Sequence, residues 1–463
     1  MNASPPGVEL PAVRSGIEGV AWPGIAADSA AQLLAMNFQL DRSQWWSPEQ
    51  LRAHQLTQLR VLLRHALDSV PYFSRAFDGL DVRRMDWEAF ELLPLLDRRT
   101  LQAEFEALSS HRLPPSHGAA SVAESSGSTG IPIKFRTTAL SQFFWEALTL
   151  REHFWHRRDF TGKLAAIRVQ VDDASLPDWG APAGSVFRTG PSALLNVRAD
   201  VEAQLAWLQR ENPDYLITHA SNLGALAEQS LRQGLRLPRL RQARTLSETL
   251  RPDLRETVRA AWGVEVVDTY SCSEAGVIAL QCPLHEHYHV QSENLVVELL
   301  RPDGSACRAG ETGEVVLTTL HNFALPLIRY RIGDYAEAGE PCSCGRGLPV
   351  LKRILGRQRN MARLPDGRTL WPSFPAAVWR SVVPVDQFQL IQSEPDLIVA
   401  RYVMEREMSP DEIARLTLLL QQRLGFPFRI EPTRVARIER PAAHKFEDFI
   451  CALPPADGRS IGG

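Results

Sequence analysis

The pattern of apolar positions in the first hundred residues is helical. Apolar side chains recur at the spacing of one helix face at Leu59, Leu62, Leu63, Ala66 and Val70. Pro71 ends this run. At its start, Ser47 suits an N-cap, Pro48 the first helical position and Gln50 the third position of a capping box. The sequence therefore predicts a mostly helical region that extends to about residue 110.

Beyond about residue 160, short apolar runs alternate with helical patterns. The predicted elements are strands over residues 164–171, 215–218 and 264–270, and helices over residues 200–210 and 223–231. Such alternation is typical of a largely parallel sheet. Between residues 295 and 320 the apolar period shortens to two, and turn signals stand at Pro302-Asp303-Gly304 and Glu311-Thr312-Gly313.

The pattern of the last hundred or so residues predicts a small separate α+β unit. The pattern breaks at residues 356–360 and then predicts strands over 387–391, 397–402 and 429–438. Ser409 and Pro410 open a helix that Gly425 closes. We expect a flexible N-terminal arm over residues 1–27, a large domain over 28–355 and a small mobile domain over 356–463.

Composition narrows the class of protein. The 463 residues suffice for two or three domains, and 44% hydrophobic with 23% charged residues is ordinary for a globular protein. A net charge of -3 gives no electrostatic reason to expect nucleic acid or an anionic membrane as partner. The sequence has no apolar run near the ~18 residues that span a bilayer and no signal-peptide pattern. We expect a cytoplasmic monomer or homodimer.

The placement of the cysteines suggests a metal site. Six cysteines are too few for a disulfide framework, but Cys342 and Cys344 flank a tight turn before a glycine. Cys282 begins a segment that also carries His285, His287 and His289. Thiolates and imidazoles are the ligands of a closed structural zinc site, for which we take Cys282, His289, Cys342 and Cys344. Spacing does not separate the three histidines, and isolated thiols with surface histidines are the alternative.

A run of hydroxyl residues and glycines is the strongest candidate for a phosphate-binding loop. It comprises Ser125, Ser126, Gly127, Ser128, Thr129 and Gly130, between Glu124 and Ile131-Pro132. Glycines let backbone N–H groups converge on phosphate oxygens, and hydroxyls add donors. The run is not a Walker loop, since no Gly-Lys-Ser/Thr follows, and a flexible linker is the alternative.

Further polar segments follow this loop in a fixed order. They are Ser247-Glu248-Thr249, Tyr270-Ser271-Cys272-Ser273-Glu274-Ala275-Gly276, a segment from His321 to Asp334, Gly356-Arg357, and Lys445 near the C-terminus. The first two follow predicted strand ends, where α/β sheets bind ligands. Singly, Glu274 could cap a helix, Asp334 could be a turn residue and Lys445 a solvated charge.

As an ordered set these segments resemble the adenylate-forming superfamily, most closely its branch of phenylacetate–CoA ligases and coenzyme F390 synthetase-like proteins. The resemblance covers about residues 90–450, and the segment from His321 to Asp334 is particularly close to that branch. It implies an α/β fold: a large N-terminal adenylation domain of several subdomains, built on parallel and mixed sheets, and a small α+β C-terminal domain joined by a hinge. The Cys342/Cys344 turn also belongs to this branch, where it helps to hold zinc.

The resemblance implies an ATP-dependent reaction in two halves, in which a carboxylic acid becomes an acyl adenylate and then a coenzyme A thioester. It places ATP phosphates on Ser125–Gly130, adenine on Tyr270, the α-phosphate on Ser273, Mg²⁺ on Glu274 and the ribose on Asp334. It also assigns Ser247 and Glu248 to nucleotide binding, Arg357 to the ribose or phosphate at the hinge, and Lys445 to the reacting oxygens during adenylation.

Some positions depart from the family pattern. Ile131 stands where many relatives carry lysine, which leaves Lys134 as a displaced cation, and Arg359-Asn360 replaces an aspartate pair after the hinge arginine. His444 replaces the glycine before the lysine. These departures keep two alternatives open. The acyl acceptor could be a carrier-protein phosphopantetheine or an amine, or the chain could bind nucleotide without catalysis.

The acyl pocket is predicted near the last strands of the large domain. Its candidate residues are Tyr215, His219, Ser221, Asn222, Ser247, Thr269 and Cys272. Because many of them are polar, a hydroxy-, amino- or heteroaromatic acid fits as well as phenylacetate.

Overall fold

A computed structural model describes residues 11–124, 132–169, 171–372, 374, 379, 381–385, 387–438 and 447–453. The chain divides into two compact units. Of the described residues, the large unit contains 11–124, 134–332 and 336–354, and the small unit contains 132–133, 333–335 and those from 355 onward. Each unit is described by itself.

The N-terminal part of the large unit is helical, as predicted. Its helices are α1 (Asp28–Ser43), α2 (Pro48–Ser69), α3 (Pro71–Ala76), α4 (Trp87–Glu91), α5 (Arg98–Ala103) and α6 (Phe105–Leu108), with short 3-10 turns at Val82–Arg84 and Pro115–His117. The predicted capping box is confirmed, since Gln50 N donates to Ser47 Oγ at 3.3 Å and Ser47 N donates to Gln50 Oε1 at 3.0 Å.

Part of the predicted flexible arm packs on the large unit. Val13 forms an antiparallel bridge with Phe187, and Arg14 forms an ion pair with Asp178 at 3.0 Å. Val13 and Arg14 therefore have defined contacts within the large unit, and the flexible arm over residues 1–27 stays a prediction.

A 12-stranded sheet dominates the described residues, with the order β11-β12-β13-β14-β10-β9-β8-β7-β6-β3-β5-β4. Its strands are β3 (Leu164–Arg168), β4 (Ala174–Leu176), β5 (Ser192–Asn196), β6 (Tyr215–Thr218), β7 (Gln242–Leu246), β8 (Glu265–Cys272), β9 (Gly276–Gln281), β10 (Tyr288–Val290), β11 (Leu295–Leu300), β12 (Thr312–Thr319), β13 (Tyr330–Ala338) and β14 (Val350–Arg357). Neighbouring strands from β5 through β3, β6 and β7 to β8 are parallel, whereas β4 and β9 join antiparallel. The prediction of an α/β fold on parallel and mixed sheets is confirmed.

Helices cover both faces of the parallel strands. The helices of this part of the chain are α7 (Ala139–Trp155), α8 (Ala183–Val186), α9 (Val201–Glu211), α10 (Ala220–Gln233) and α11 (Pro252–Trp262). One face packs Ala165, Leu216 and Ala243 with α9, α10 and α11, and the other packs Leu164 and Ile217 with α7. Burial on both faces explains why these strands read as short continuous apolar runs.

A two-stranded hairpin flanks the hydroxyl and glycine run. Strands β1 (Ala120–Glu124) and β2 (Lys134–Thr138) pair antiparallel, with Glu124 opposite Lys134. The Thr138 side chain then caps α7 by accepting a hydrogen bond from Ser141 N at 3.2 Å. The hairpin thus joins the run directly to the start of α7.

The small unit has a core of its own. Its elements are β15 (Ala362–Arg363), β16 (Thr369–Leu370), β17 (Gln387–Glu394), β18 (Leu397–Val403), α12 (Pro410–Leu424), β19 (Arg429–Arg434) and β20 (Phe449–Cys451), with a 3-10 turn at Gln358–Asn360. A four-stranded sheet in the order β19-β18-β17-β20 packs with α12 around buried residues that include Phe374, Trp379 and Phe428. Gly425 ends α12 in the left-handed region, as its sequence position predicts.

In the part of the chain that the structure describes, no helix combines the length and apolarity needed to cross a membrane.

Candidate active site

A tight hairpin carries the predicted Ser273 and Glu274. Strand β8 ends at Cys272, which pairs with Gly276 at the start of β9, so the two residues lie in the connecting turn. Gly276 has a φ of 76°, a region that favours glycine. Because β8 leads into a hairpin, the alternative of Glu274 as the cap of a following helix is excluded.

This hairpin forms one wall of a pocket in the large unit. The cavity volume is about 140 Å³, close to the ~150 Å³ of a cavity that holds a benzene ring. Its lining comprises Thr137, Ser141, Gln142, Phe144, Trp145, Ser273, Glu274, Ala275, Gly276, Val277, Asn294, Thr319, His321 and Asn322. The pocket is therefore bounded by the end of β2, the first turns of α7 and the segment after β12.

Sequence reasoning gave no role to His321 and Asn322, although both stand in the segment that carried the resemblance. His321 Nε2 lies 2.9 Å from the Glu293 carbonyl oxygen, and its ring stacks on Phe144 at 4.1 Å between centroids. Burial lowers the pKa of His321 to about 4, so the imidazole is neutral at pH 7. Asn322 Nδ2 donates to the Arg136 carbonyl oxygen at 2.8 Å. These side chains shape the wall without adding charge.

The predicted pair Ser247 and Glu248 lies just beyond β7. Glu248 accepts hydrogen bonds from Ser221 N at 2.7 Å and from Ser221 Oγ at 3.2 Å. A carboxylate in this position accepts a hydrogen bond from a backbone N–H group in the first turn of α10, whose N-cap is His219. Ser247 has a φ of 70°, in the left-handed region. The structure gives Glu248 a loop-ordering contact and places Ser221 and His219 at the carboxyl edge of the sheet.

Two of the predicted acyl-pocket residues make contacts within the large unit. Tyr215 begins β6, at the amino edge of the parallel strands, and its hydroxyl accepts from Asp159 N at 2.8 Å. Asn222 is buried and its Nδ2 donates to Gln204 Oε1 at 2.8 Å and Thr218 Oγ1 at 3.0 Å. Both side chains serve internal packing, which strand position alone does not reveal.

The remaining predicted residues of the large unit lie along β8. Thr269 is buried and its hydroxyl lies 3.4 Å from Arg244 Nη2. Tyr270 is also buried, on the face opposite to Thr269, and Cys272 is partly exposed at the strand end. These residues share one strand with the hairpin that carries Ser273 and Glu274.

Four side chains of the large unit converge as a possible metal site. The ligand atoms of Cys282, His289, Cys342 and Cys344 all lie within 4.8 Å of one another. The Sγ atoms of Cys282 and Cys342 are 3.8 Å apart, and Cys344 Sγ is 3.4 Å from His289 Nε2. Of the three histidines, only His289 belongs to this group, whereas His285 Nε2 lies 2.9 Å from Ser343 Oγ.

Burial sets the protonation of these groups. It raises the pKa of Cys342 to about 12 and lowers the pKa of His289 to about 4. His289 is consequently neutral at pH 7, the form in which imidazole binds a metal. His287 Nε2 lies 3.0 Å from Cys342 Sγ, where it can donate a hydrogen bond to the sulfur.

Asp334 and Arg357 lie together in the small unit. Arg357 Nε is 3.5 Å from Asp334 Oδ1, and the Arg357 carbonyl oxygen accepts from Trp371 Nε1 at 3.3 Å. The next arginine, Arg359, forms an ion pair with Glu447 at 2.6 Å. The predicted ribose-binding carboxylate and hinge arginine are therefore neighbours.

Comparison with known proteins gives two consistent results, although no family model matches the chain. Phenylacetate-coenzyme A ligase of Aromatoleum evansii is 25% identical over 349 residues, which cover 71% of this chain and 74% of that protein. The enzyme of the same name from Pseudomonas putida is 26% identical over 344 residues, covering 70% and 74%. The crystal structure of 2-hydroxyisobutyryl-CoA ligase in the postadenylation state matches the fold with a TM-score of 0.70 at 18% identity, covering 89% of this chain and 91% of that one.

The chain is thus similar in sequence to phenylacetate–CoA ligases and has the fold of an acyl-CoA ligase. These similarities support the resemblance to the phenylacetate–CoA ligase branch that its motifs predict.

Several adenylate-forming motif residues lie outside the described residues. They are Ser125, Ser126, Gly127, Ser128, Thr129, Gly130, Ile131, His444 and Lys445. Glu274 belongs to the large unit and Asp334 to the small unit. Their convergence on one nucleotide, and the roles of all the predicted site residues, stay predictions.

Proposed function

We propose that this adenylate-forming protein is an ATP-dependent, AMP-forming acid–CoA ligase. The observation that carries the proposal is the pocket at the β8–β9 hairpin, where Ser273 and Glu274 face Trp145 of α7 and His321. A phosphate-binding turn beside a small cavity with an aromatic wall suits a nucleotide next to a small carboxylic acid.

In the first half-reaction, the acid carboxylate attacks the α-phosphorus of ATP and pyrophosphate leaves. Ser273 donates a hydrogen bond to the α-phosphate, and the loop Ser125–Gly130 holds the β- and γ-phosphates with backbone N–H groups. Lys445 pairs with the oxygens between the acid and the α-phosphate. Because little covalent chemistry falls to the protein, positioning and charge neutralisation account for most of the acceleration.

In the second half-reaction, the coenzyme A thiol attacks the acyl carbonyl carbon and AMP leaves. Asp334 accepts hydrogen bonds from the ribose hydroxyls through both half-reactions, and Arg357 holds the ribose or phosphate beside it. The ion pair between Arg357 and Asp334 supports this assignment, because it brings the two groups to one place.

Glu274 would hold the Mg²⁺ that accompanies ATP. One carboxylate suffices for this role, since Mg²⁺ keeps several waters and takes its other ligands from phosphates. Bound there, the ion neutralises phosphate charge. The partly exposed position of Glu274 in the hairpin turn fits such a site.

Cys282, His289, Cys342 and Cys344 would hold a structural zinc. Tetrahedral geometry with zinc–sulfur bonds of about 2.3 Å sets the sulfurs about 3.8 Å apart. The separation of 3.8 Å between Cys282 Sγ and Cys342 Sγ fits that requirement. The ion would join the turn at Cys342 to the segment between β9 and β10.

Acid-dependent release of pyrophosphate, followed by thioester formation once coenzyme A is added, tests the proposal. The Glu274→Gln variant should release pyrophosphate roughly 100- to 1,000-fold more slowly, because it loses a charge that stabilises the transition state. Glu256→Gln, which changes an exposed carboxylate on α11, is the matched control. The proposal fails if no acid in a broad panel supports pyrophosphate release, and the role of Glu274 fails if both variants behave alike.

A further inference from the structure

Trp371 lies beside the ion pair of Asp334 and Arg357, and all three residues belong to the small unit. The ring centroid of Trp371 is 5.1 Å from that of Tyr335, the residue that follows Asp334. Trp371 Nε1 donates a hydrogen bond to the Arg357 carbonyl oxygen at 3.3 Å. One side chain therefore contacts both chain segments that supply the predicted ribose-binding groups.

Each of these two segments contains a glycine in the left-handed region. Gly333 precedes Asp334 in β13 and has a φ of 83°. Gly356 precedes Arg357 at the end of β14 and has a φ of 91°. A glycine inside a strand marks a bend and offers no side chain that packs. The direction of the next side chain is therefore sensitive to contacts that come from outside the strand.

The ion pair can accept a ligand at the same time. Arg357 Nε and Asp334 Oδ1 are 3.5 Å apart, which is longer than the 2.7–3.2 Å of an ordinary hydrogen bond. The two side chains are 28% and 16% exposed, respectively, so solvent reaches both. A carboxylate offers about four lone-pair sites, so Asp334 can accept from ribose hydroxyls with Arg357 beside it. Correct placement of the two groups then depends on the backbone that carries them.

A short hairpin fixes the position of Trp371. Strand β16 ends at Leu370, which lies opposite the buried Ala362 of β15. The turn of this hairpin is closed by a hydrogen bond from Leu364 N to the Arg368 carbonyl oxygen at 2.8 Å. Leu370 packs against the core of the small unit. Trp371, as the next residue, is therefore anchored to that core through its neighbour.

The Trp371 ring itself is not used to fill the core. Among the described residues of the small unit, Leu370 is in the set of partly buried side chains that pack on the core, and Trp371 is not. Trp371 is partly exposed, with its ring against Tyr335 and its N–H on Arg357. An aromatic ring pair and a hydrogen bond each restrict the geometry of the groups they join. The contacts of Trp371 thus restrain the ribose-binding segments.

We propose that Trp371 is a positioning residue for the ribose of the nucleotide. This inference rests on the proposed ligase function. The ring of Trp371 holds the segment that carries Asp334, and its N–H holds the backbone of Arg357. Because the ribose is bound in both half-reactions, Trp371 acts on nucleotide binding and leaves the chemical step alone.

Steady-state kinetics separates these two effects. Trp371→Leu should raise the KM for ATP roughly tenfold and change kcat by less than about twofold, the pattern of lost uniform binding. Trp371→Phe keeps a ring beside Tyr335 and lacks the N–H donor, so its KM should fall between those of the wild type and Trp371→Leu. A fall in kcat with an unchanged KM for ATP overturns the proposal.

A second aromatic residue of the small unit provides the matched control. Phe426 is also partly buried and has its ring 4.9 Å from that of Phe428, at the core. Phe426→Leu removes a ring from the same unit and should leave the KM for ATP unchanged. If it raises this KM as much as Trp371→Leu does, the effect is a general destabilisation of the unit and the proposal fails.

Comparison of ATP with 2′-deoxy-ATP locates the effect at the ribose. The ratio of kcat/KM for the two nucleotides should fall by roughly threefold or more in Trp371→Leu, because Asp334 is no longer placed to accept from the 2′-hydroxyl. Asp334→Ala should lower the same ratio, and adding Trp371→Leu to it should cause little further change. A ratio in Trp371→Leu equal to that of the wild type overturns the proposal.

Calorimetric titration with AMP distinguishes this inference from the ligase activity itself, since it requires no turnover. Weaker binding of AMP by Trp371→Leu than by the wild type and Phe426→Leu supports the proposal even if no acid yields pyrophosphate. Binding of AMP that is unchanged in Trp371→Leu, or absent from the wild type, overturns it even if the chain is an active ligase.

Discussion

His156 and His321 show how burial changes a single side chain. Burial lowers the pKa of each imidazole to about 4, whereas an unfolded histidine titrates near ~6.5. Between these values the unfolded chain binds protons that the folded chain does not. Stability therefore falls as the pH is lowered through this window.

The pH dependence of unfolding checks this expectation. Each histidine should remove about 1.4 kcal/mol of unfolding free energy for every pH unit between about 6.5 and 4. Urea unfolding at pH 6.5 and 5.0 measures the slope, which His321→Gln and His156→Gln should each reduce. The exposed His111→Gln should leave the slope unchanged. An unaltered slope in the double variant contradicts the assignment.

Some residue roles depend only on neighbouring residues in the sequence, whereas others depend on the tertiary structure. The caps at Ser47 and Gly425 could be predicted because a cap depends on four or five adjacent residues. The ion pair of Arg244 with Glu152 could not, because it depends on strand register and on the packing of α7 against the sheet. The position of Tyr215 at the amino end of β6 could not be predicted either, since the sequence marks a strand but not its direction in the sheet.

At the scale of elements, the cysteine turn at Cys342 contacts the β9–β10 connection through Cys282. A bound zinc would crosslink them, so its free energy of binding would add to that of folding. The residue types alone predicted a metal site of cysteines and a histidine. That His289 rather than His285 or His287 joins the three cysteines became clear only from the geometry of β10.

Metal analysis with a matched variant tests the crosslink. Wild-type protein should contain about one zinc per chain, as a four-ligand site requires. Cys342→Ser should lose the metal and unfold several degrees lower, whereas Cys307→Ser, outside the cluster, should change neither. Full zinc retention by Cys342→Ser would show that the cluster is not the binding site.

The ion pair of Arg359 and Glu447 links two elements of the small unit. Arg359 follows the end of β14, and Glu447 precedes β20, two residues after Lys445. Their side chains are 23% and 14% exposed, so this pair is better shielded from water than a surface pair. Arg359 is also one of the positions at which the sequence is predicted to depart from the family pattern.

A double-mutant cycle measures this link. Alanine substitutions at Arg359 and Glu447 should give a coupling energy of about 1 kcal/mol in urea unfolding. The surface pair Arg429 and Glu394, with side chains 62% and 56% exposed, is the control and should couple by only a few tenths. Equal coupling in both pairs would mean that Arg359 adds no specific restraint to the segment next to Lys445.

At the scale of the whole molecule, the proposed function assigns nucleotide-binding residues to both compact units. Fold class could be predicted because alternating strands and helices, and an independent α+β tail, leave clear patterns. The arrangement of Glu274 in one unit and Asp334 in the other could not, since no local pattern encodes it.

The most direct test is a crystal structure of the protein with a non-hydrolysable acyl-adenylate analogue and Mg²⁺. We predict that the adenylate lies against Ser273, and that Asp334 accepts hydrogen bonds from the ribose hydroxyls of that same molecule. An adenylate bound away from the β8–β9 hairpin, or an Asp334 that does not contact its ribose, would contradict the account.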